Sequence, residues 1–229
     1  MHFMPWPDPL PAGIEVYRLD FDLRAESPAA RRLLTPIECA RADSFARTAD
    51  RVRFTQARAA LRSLLAVRVG CKPAAVPLAS NPFGKPQLAL AGGGAPRFNL
   101  SHSGSHALIA LGDARTVDEV GIDIEECRDG ADIEGVSSLA LTAREREEVR
   151  DAPDRLRAFY GRWTGKEAVL KAIGLGVAGH LQSIGLHPAA DGRFNLACSV
   201  PEWTRFQAVA LDGPSGYAAA LAWRAKELT

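Results

Sequence analysis

The chain has 229 residues, is 47% hydrophobic and carries a formal net charge of +1. That is enough apolar content for a core without disulfides. The near-neutral balance excludes a general nucleic-acid binder, which would be strongly basic. The four cysteines, Cys39, Cys71, Cys127 and Cys198, are widely spaced. They form no C-x-x-C pair and have no histidine at ligand spacing, which excludes a disulfide framework and a zinc site. The proline-rich start, residues 1–13, lacks a basic, apolar secretory leader. No apolar run is long enough to span a bilayer. The expected location is the cytoplasm.

In chain order, residues 14–19 alternate as a strand. Thr35-Pro36 opens a helix, with Thr35 as N-cap and Glu38 completing a capping box. A second helix runs from about Asp50 to Val69 and stops at Gly70. Its apolar positions include Val52, Leu61, Leu64 and Leu65. Residues 77–86 are turn-rich, and Gly92-Gly93-Gly94 reads as a flexible loop. Strand signals follow at 97–101, 106–111 and 119–125. The polar stretch 127–151 holds short helices, one capped by Thr142 and Glu145. A long helix starts at Pro153-Asp154 and closes at Gly174. Further strands are expected at 182–186, 193–197, 206–211 and 217–223. Strands and helices come in blocks, which implies α+β with mainly antiparallel sheets.

Four groups of residues can carry chemistry. In Gly121-Ile122-Asp123-Ile124-Glu125, the period of a strand puts Asp123 and Glu125 on one face. Two adjacent carboxylates need a cation or a solvated edge. Mg²⁺ suits hard oxygen ligands; taken alone, the pair reads as a solvated sheet face. In Trp163-Thr164-Gly165-Lys166-Glu167-Ala168-Val169-Leu170-Lys171, Glu167 and Lys171 share a helix face. Alone, they read as an ordinary ion pair beside a core tryptophan. Gly165 is costly in a helix interior, so close approach of another backbone or a ligand is expected there. In Phe98-Asn99-Leu100-Ser101-His102-Ser103, a strand runs into a turn whose hydroxyls, amides and imidazole suit phosphate oxygens. A Ser–His nucleophile is disfavoured, because Ser101 and His102 point apart and no G-x-S-x-G elbow exists. Lastly, Arg41, Arg47, Arg51, Arg53, Arg58 and Arg62 line the early helices. Most read as a solvated face; one or two suit a phosphate.

Together with Phe83-Gly84-Lys85-Pro86, these stretches resemble the Sfp-type 4′-phosphopantetheinyl transferases, in that family's order. The resemblance covers about residues 35–175. It implies a pseudo-twofold monomer of two similar α/β halves, residues 1–112 and 113–229, with coenzyme A in the cleft between them. It implies that Asp123, Glu125 and Glu167 bind Mg²⁺, that Lys171 contacts the coenzyme A phosphates, and that Gly84, Lys85 and Pro86 lie near the adenine. Ser101 and His102 match phosphate contacts. Arg53 matches a basic residue near the ribose 3′-phosphate, with Arg47 and Arg41 as looser candidates. The implied activity is Mg²⁺-dependent transfer of phosphopantetheine to a serine of an apo carrier protein, acyl or peptidyl. Glu167, Lys171 and His102 would be the catalytic groups. The alternative is a coenzyme A-binding or diphosphate-cleaving protein that modifies no carrier.

Overall fold

The computed structural model describes residues 3–90, 94–130, 132–176 and 179–227. The expected loop glycines Gly92 and Gly93 lie outside the described residues. The chain begins with β1 (Phe3–Pro5) and β2 (Ile14–Asp20), then α1 (Pro28–Arg31), α2 (Pro36–Asp43) and α3 (Thr48–Val69). A small hairpin, β3 (Leu78–Ser80) and β4 (Pro86–Leu88), leads to β5 (Arg97–Ser103) and β6 (His106–Gly112). Next come β7 (Val117–Glu126), α4 (Ile133–Ala140), α5 (Ala143–Asp151) and α6 (Arg155–Ile173). The chain closes with β8 (Ile184–Pro188), β9 (Arg193–Cys198), β10 (Gln207–Leu211) and β11 (Tyr217–Ala225).

Two antiparallel sheets, ordered β1-β2-β6-β5 and β7-β11-β10-β9-β8, carry the molecule. Their inner faces share one core. Ile14 and Val16 of β2, Leu108 and Ala110 of β6, Ile122 and Ile124 of β7, and Leu221 and Trp223 of β11 all belong to it. Period-two alternation sends every second side chain there and the rest to the opposite face. On that opposite face of the first sheet lies α3, through Ala57, Leu61, Leu64 and Leu65. On that of the second lies α6, through Ala168, Val169 and Ala172. The order is therefore helix, sheet, sheet, helix. The α+β class with antiparallel sheets is the one expected.

One device recurs in both layers. The Thr35–Glu38 capping box is present, and its carboxylate also takes a two-pronged ion pair from buried Arg62 of α3, at 2.7 and 3.0 Å. The Thr142–Glu145 capping box is likewise present, and its carboxylate pairs with buried Lys166 of α6 at 2.6 Å. Arg62 precedes the left-handed cap Gly70 by the same interval as Lys166 precedes the left-handed cap Gly174. Arg62 and Arg58 therefore do not sit on a solvated face, as most of the helix arginines were expected to. Arg62 is 3% exposed and also donates to the Pro73 and Val76 carbonyls.

Two further expectations change. The 77–86 stretch contains strand pairing, Leu78 to Leu88 and Ser80 to Pro86, on either side of its turn. And Gly165 is explained by side chains, not by a backbone or a ligand: a Cβ there would lie 2.7 Å from Leu186 Cδ1. The close backbone approach occurs instead at Gly121, where a Cβ would overlap the Ala168 carbonyl and the Ala172 amide. That glycine lets α6 lie directly on β7.

Candidate active site

β5 and β7 are edge strands of different sheets, yet they run side by side in the same direction. Edge strands leave backbone groups unpaired. Here side chains bridge the gap. Asn99, Ser101 and Ser103 alternate along β5 and so share a face. Asn99 Oδ1 accepts from the Ile122 amide at 2.9 Å. Ser101 Oγ donates to Asp123 Oδ1 at 2.7 Å, and Ser103 Oγ donates to Glu125 Oε2 at 2.8 Å while accepting from the Glu126 amide at 3.1 Å. The hydroxyls thus fix the two carboxylates of β7 on the face turned to α6.

From α6, Glu167 and Lys171 meet them. One oxygen of each of Asp123, Glu125 and Glu167 lies within 4.8 Å of the others. Lys171 Nζ sits 2.5 Å from Asp123 Oδ1, 3.0 Å from Ser101 Oγ and 3.7 Å from Glu167 Oε2. Asp123 is fully buried, and its Oδ2 has no hydrogen-bond partner. A buried carboxylate oxygen without a donor is costly. With three carboxylates facing one ammonium, the cluster keeps an excess of negative charge and a free oxygen, which fits a hard divalent cation.

The electrostatics agree. Burial and the neighbouring Asp123 charge push the Glu167 carboxyl up to about 7, against the pull of Lys171. Burial and Asp123 also raise Glu125. Burial alone would lower Lys171, but the carboxylates of Asp123 and Glu167 reverse that and its net shift is upward. Several perturbed groups gathered in one buried cluster are typical of functional sites.

A cavity of about 310 Å³ adjoins the cluster where β5 ends. Arg47, Arg53, His102, Ser103 and Arg128 line it. Arg53 is held by the Gly104 carbonyl at 2.6 Å and by Asp50 at 2.6 Å. His102 is exposed while Ser101 is buried, so the two do point apart. Crowding by protein, with the Lys171 and Arg53 charges, lowers the His102 imidazole and keeps it neutral near pH 7.

The structure gathers Arg47, Arg53, Ser101, His102, Asp123, Glu125, Glu167 and Lys171 into one locality. Arg41 is outside the lining of the basic cavity, with its guanidinium 5.0 Å from the Phe45 ring. Gly84 turns the β3–β4 hairpin at φ +82°. Lys85 and Pro86 line a separate cavity of about 180 Å³ with Arg97 and Glu119. Lys85 Nζ donates to the Ala172 carbonyl at 3.2 Å and lies 3.5 Å from Glu119, which ties the hairpin to the end of α6. Sequence reasoning missed Arg128, which follows β7 and lines the basic cavity. It also missed the Asn99–Ser101–Ser103 series as a unit, although its two-residue period was visible.

Residues 119–222, which span β7 to β11 and so contain the acids and Lys171, match the model of the 4′-phosphopantetheinyl transferase superfamily. The 4′-phosphopantetheinyl transferase HetI of Nostoc sp. is 36% identical over 184 residues, covering 78% of this chain and 75% of that protein. The chain belongs to the 4′-phosphopantetheinyl transferase superfamily. A second relative is slr0495 of Synechocystis sp., to which the same activity is provisionally assigned. It is 33% identical over 159 residues, with 69% of this chain matching 63% of that protein. Among solved structures, a holo-(acyl-carrier-protein) synthase from Bacillus anthracis in complex with CoA (3′,5′-ADP) aligns with a TM-score of 0.41 and 21% identity. It covers 49% of this chain and 99% of that one.

Proposed function

We propose that this chain transfers the 4′-phosphopantetheine group of coenzyme A to a serine of an apo carrier protein, releasing 3′,5′-ADP. The observation that carries the reading is the Asp123–Glu125–Glu167 cluster around Lys171, set beside a cavity walled by arginines and His102. Asp123, Glu125 and Glu167 would hold Mg²⁺, which when bound supplies positive charge to the diphosphate oxygens. The basic cavity binds the 3′,5′-ADP portion through Arg47, Arg53 and Arg128, whose guanidinium donors match phosphate. His102, neutral and exposed, donates a hydrogen bond. Lys171, kept protonated by its carboxylate neighbours, neutralises charge on the transferred phosphoryl group. Phosphoryl transfer requires mainly this positioning and neutralisation. The serine oxygen forms the new bond to phosphorus as the bond to the 3′,5′-ADP oxygen breaks. Glu167 also takes the serine proton, directly or through a water.

The wider setting follows the same reading. Among the described residues no helix is long and apolar enough to cross a membrane, and all four cysteines are unpaired. A monomer working in the reducing cytosol, with coenzyme A and a carrier protein as partners and no nucleic acid, fits that composition.

The test is the intact mass of a purified apo carrier protein after incubation with this chain, coenzyme A and Mg²⁺. A gain of one phosphopantetheine is expected, abolished by chelator and by Glu167→Ala. Release of free phosphopantetheine without a carrier would instead identify a diphosphate hydrolase.

A further inference from the structure

α6 carries two glycines in its interior, and packing accounts for only one. Gly165 has Leu186 and Phe194 against it. A Cβ on Gly161 would meet nothing within 4 Å. Glycine in a helix interior costs about 1 kcal/mol relative to alanine. Gly161 therefore gives up helix stability with no neighbour demanding it.

Beside it lies a cavity of about 160 Å³ between α6 and the second sheet. Ala158, Gly161, Phe194, Ala210 and Ala218 form its walls, and small side chains on both sides keep it open. Arg162 also lines it. That guanidinium is buried, donating to the Ala158 carbonyl at 3.0 Å and to Glu148 at 2.8 Å, yet its Nε has no partner.

The place of this cavity relative to the acids is informative. Ala218 stands opposite Glu125 in the β7–β11 ladder, so both side chains are on the face covered by α6. Ser103 reaches Glu125 from the other flank. Across the strands, then, the basic cavity lies at β5, the acids at β7 and the apolar cavity at β11. In the proposed reaction 3′,5′-ADP occupies the basic cavity, and this inference rests on that reading. The attacking and leaving oxygens of a phosphoryl transfer are roughly in line. The serine therefore arrives from the β11 side. The cavity is smaller than the roughly 300–1,000 Å³ of sites that bury whole small molecules. It has room for a single aliphatic side chain.

We propose that this cavity receives an apolar side chain adjacent to the acceptor serine of the carrier protein. Arg157, 77% exposed at the rim, favours a partner with an acidic surface.

Gly161→Leu tests this, because it fills the cavity and improves helix propensity, so folding is retained. Steady-state kinetics with apo carrier protein are run beside calorimetric binding of coenzyme A. The expected result is a tenfold or greater rise in carrier-protein KM, with coenzyme A Kd within twofold of wild type and a melting temperature unchanged or raised. Gly161→Ala should fall between. An unchanged carrier-protein KM would overturn the proposal. So would a weakened coenzyme A Kd with carrier KM unaltered, which would give the cavity to the pantetheine arm. Failure of the wild-type chain to modify any carrier would remove the proposed function and this inference together; failure confined to the variant's kinetics removes only the inference.

Discussion

Replacing Glu167 by glutamine should stabilise the metal-free protein while removing its response to Mg²⁺. The Glu167 carboxyl titrates at about 7 in the fold, against an ordinary 4.5. Between those values the folded state holds a proton that the unfolded state has released. Stability therefore falls as pH rises through that window, and the loss is complete above about 7. The difference corresponds to about 3 kcal/mol. Residual solvent at the site and the Lys171 contact reduce the gain in a variant to about 2 kcal/mol. For a chain of this length that is about 4–8 °C in melting temperature. Thermal unfolding at pH 5 and pH 8, with chelator or with Mg²⁺, reads all four conditions. At pH 8 with chelator, Glu167→Gln should melt higher than wild type; at pH 5 the two should converge. Adding Mg²⁺ at pH 8 should raise the wild type and leave the variant nearly unmoved. A variant that melts lower at pH 8, or a Mg²⁺ shift equal in both proteins, would refute the account of this cluster.

Lys166→Met should cost about 3–5 kcal/mol in urea unfolding, because it leaves the fully buried Glu145 charge without its cation. Glu145 is also pinned by the Thr142 and Leu186 amides, at 2.7 and 2.8 Å, so it cannot turn to solvent. Arg53→Ala and Arg128→Ala should each weaken 3′,5′-ADP binding about tenfold by calorimetry, with a reduced salt dependence, whereas Arg41→Ala should not. Acid should destabilise the α5–α6 contact through Glu148. Burial would raise that carboxyl, but Arg162 and His187 outweigh it and hold it at about 2. Its contribution is present above the ordinary 4.5 and is lost as pH falls towards 2. A wild-type acid-unfolding curve steeper over that window than that of Glu148→Gln would show it.

The parts of this protein legible in its sequence are those set by local rules. Both capping boxes, the left-handed glycine ends of α3 and α6, and the alternation that puts Asp123 and Glu125 together follow from neighbouring residues. What stayed hidden depends on contacts between distant segments. Arg62 and Lys166 look like surface cations on helical faces, and only the tertiary fold shows each seated on the glutamate of a capping box. Arg128 joins the basic cavity only because β7 ends beside the β5–β6 turn. The small hairpin around Gly84 pairs three residues on each side, too few to produce a periodic signal.

The same distinction separates the two interior glycines of α6 and the one on β7. Each breaks a local preference, and from sequence each invites the same explanation. In the fold they differ: Gly121 admits the α6 backbone, Gly165 admits Leu186 and Phe194, and Gly161 borders open space lined by Ala218, the ladder partner of Glu125. The first two are consumed by packing, since adding a Cβ would force backbone or core side chains to move. Substitution at Gly121 or Gly165 should therefore lower stability and carry activity down with it. Substitution at Gly161 should do the reverse, leaving stability intact while changing what the site accepts. A glycine whose removal strengthens the helix and weakens carrier recognition is retained for the reaction, and one whose removal weakens both is retained for the fold.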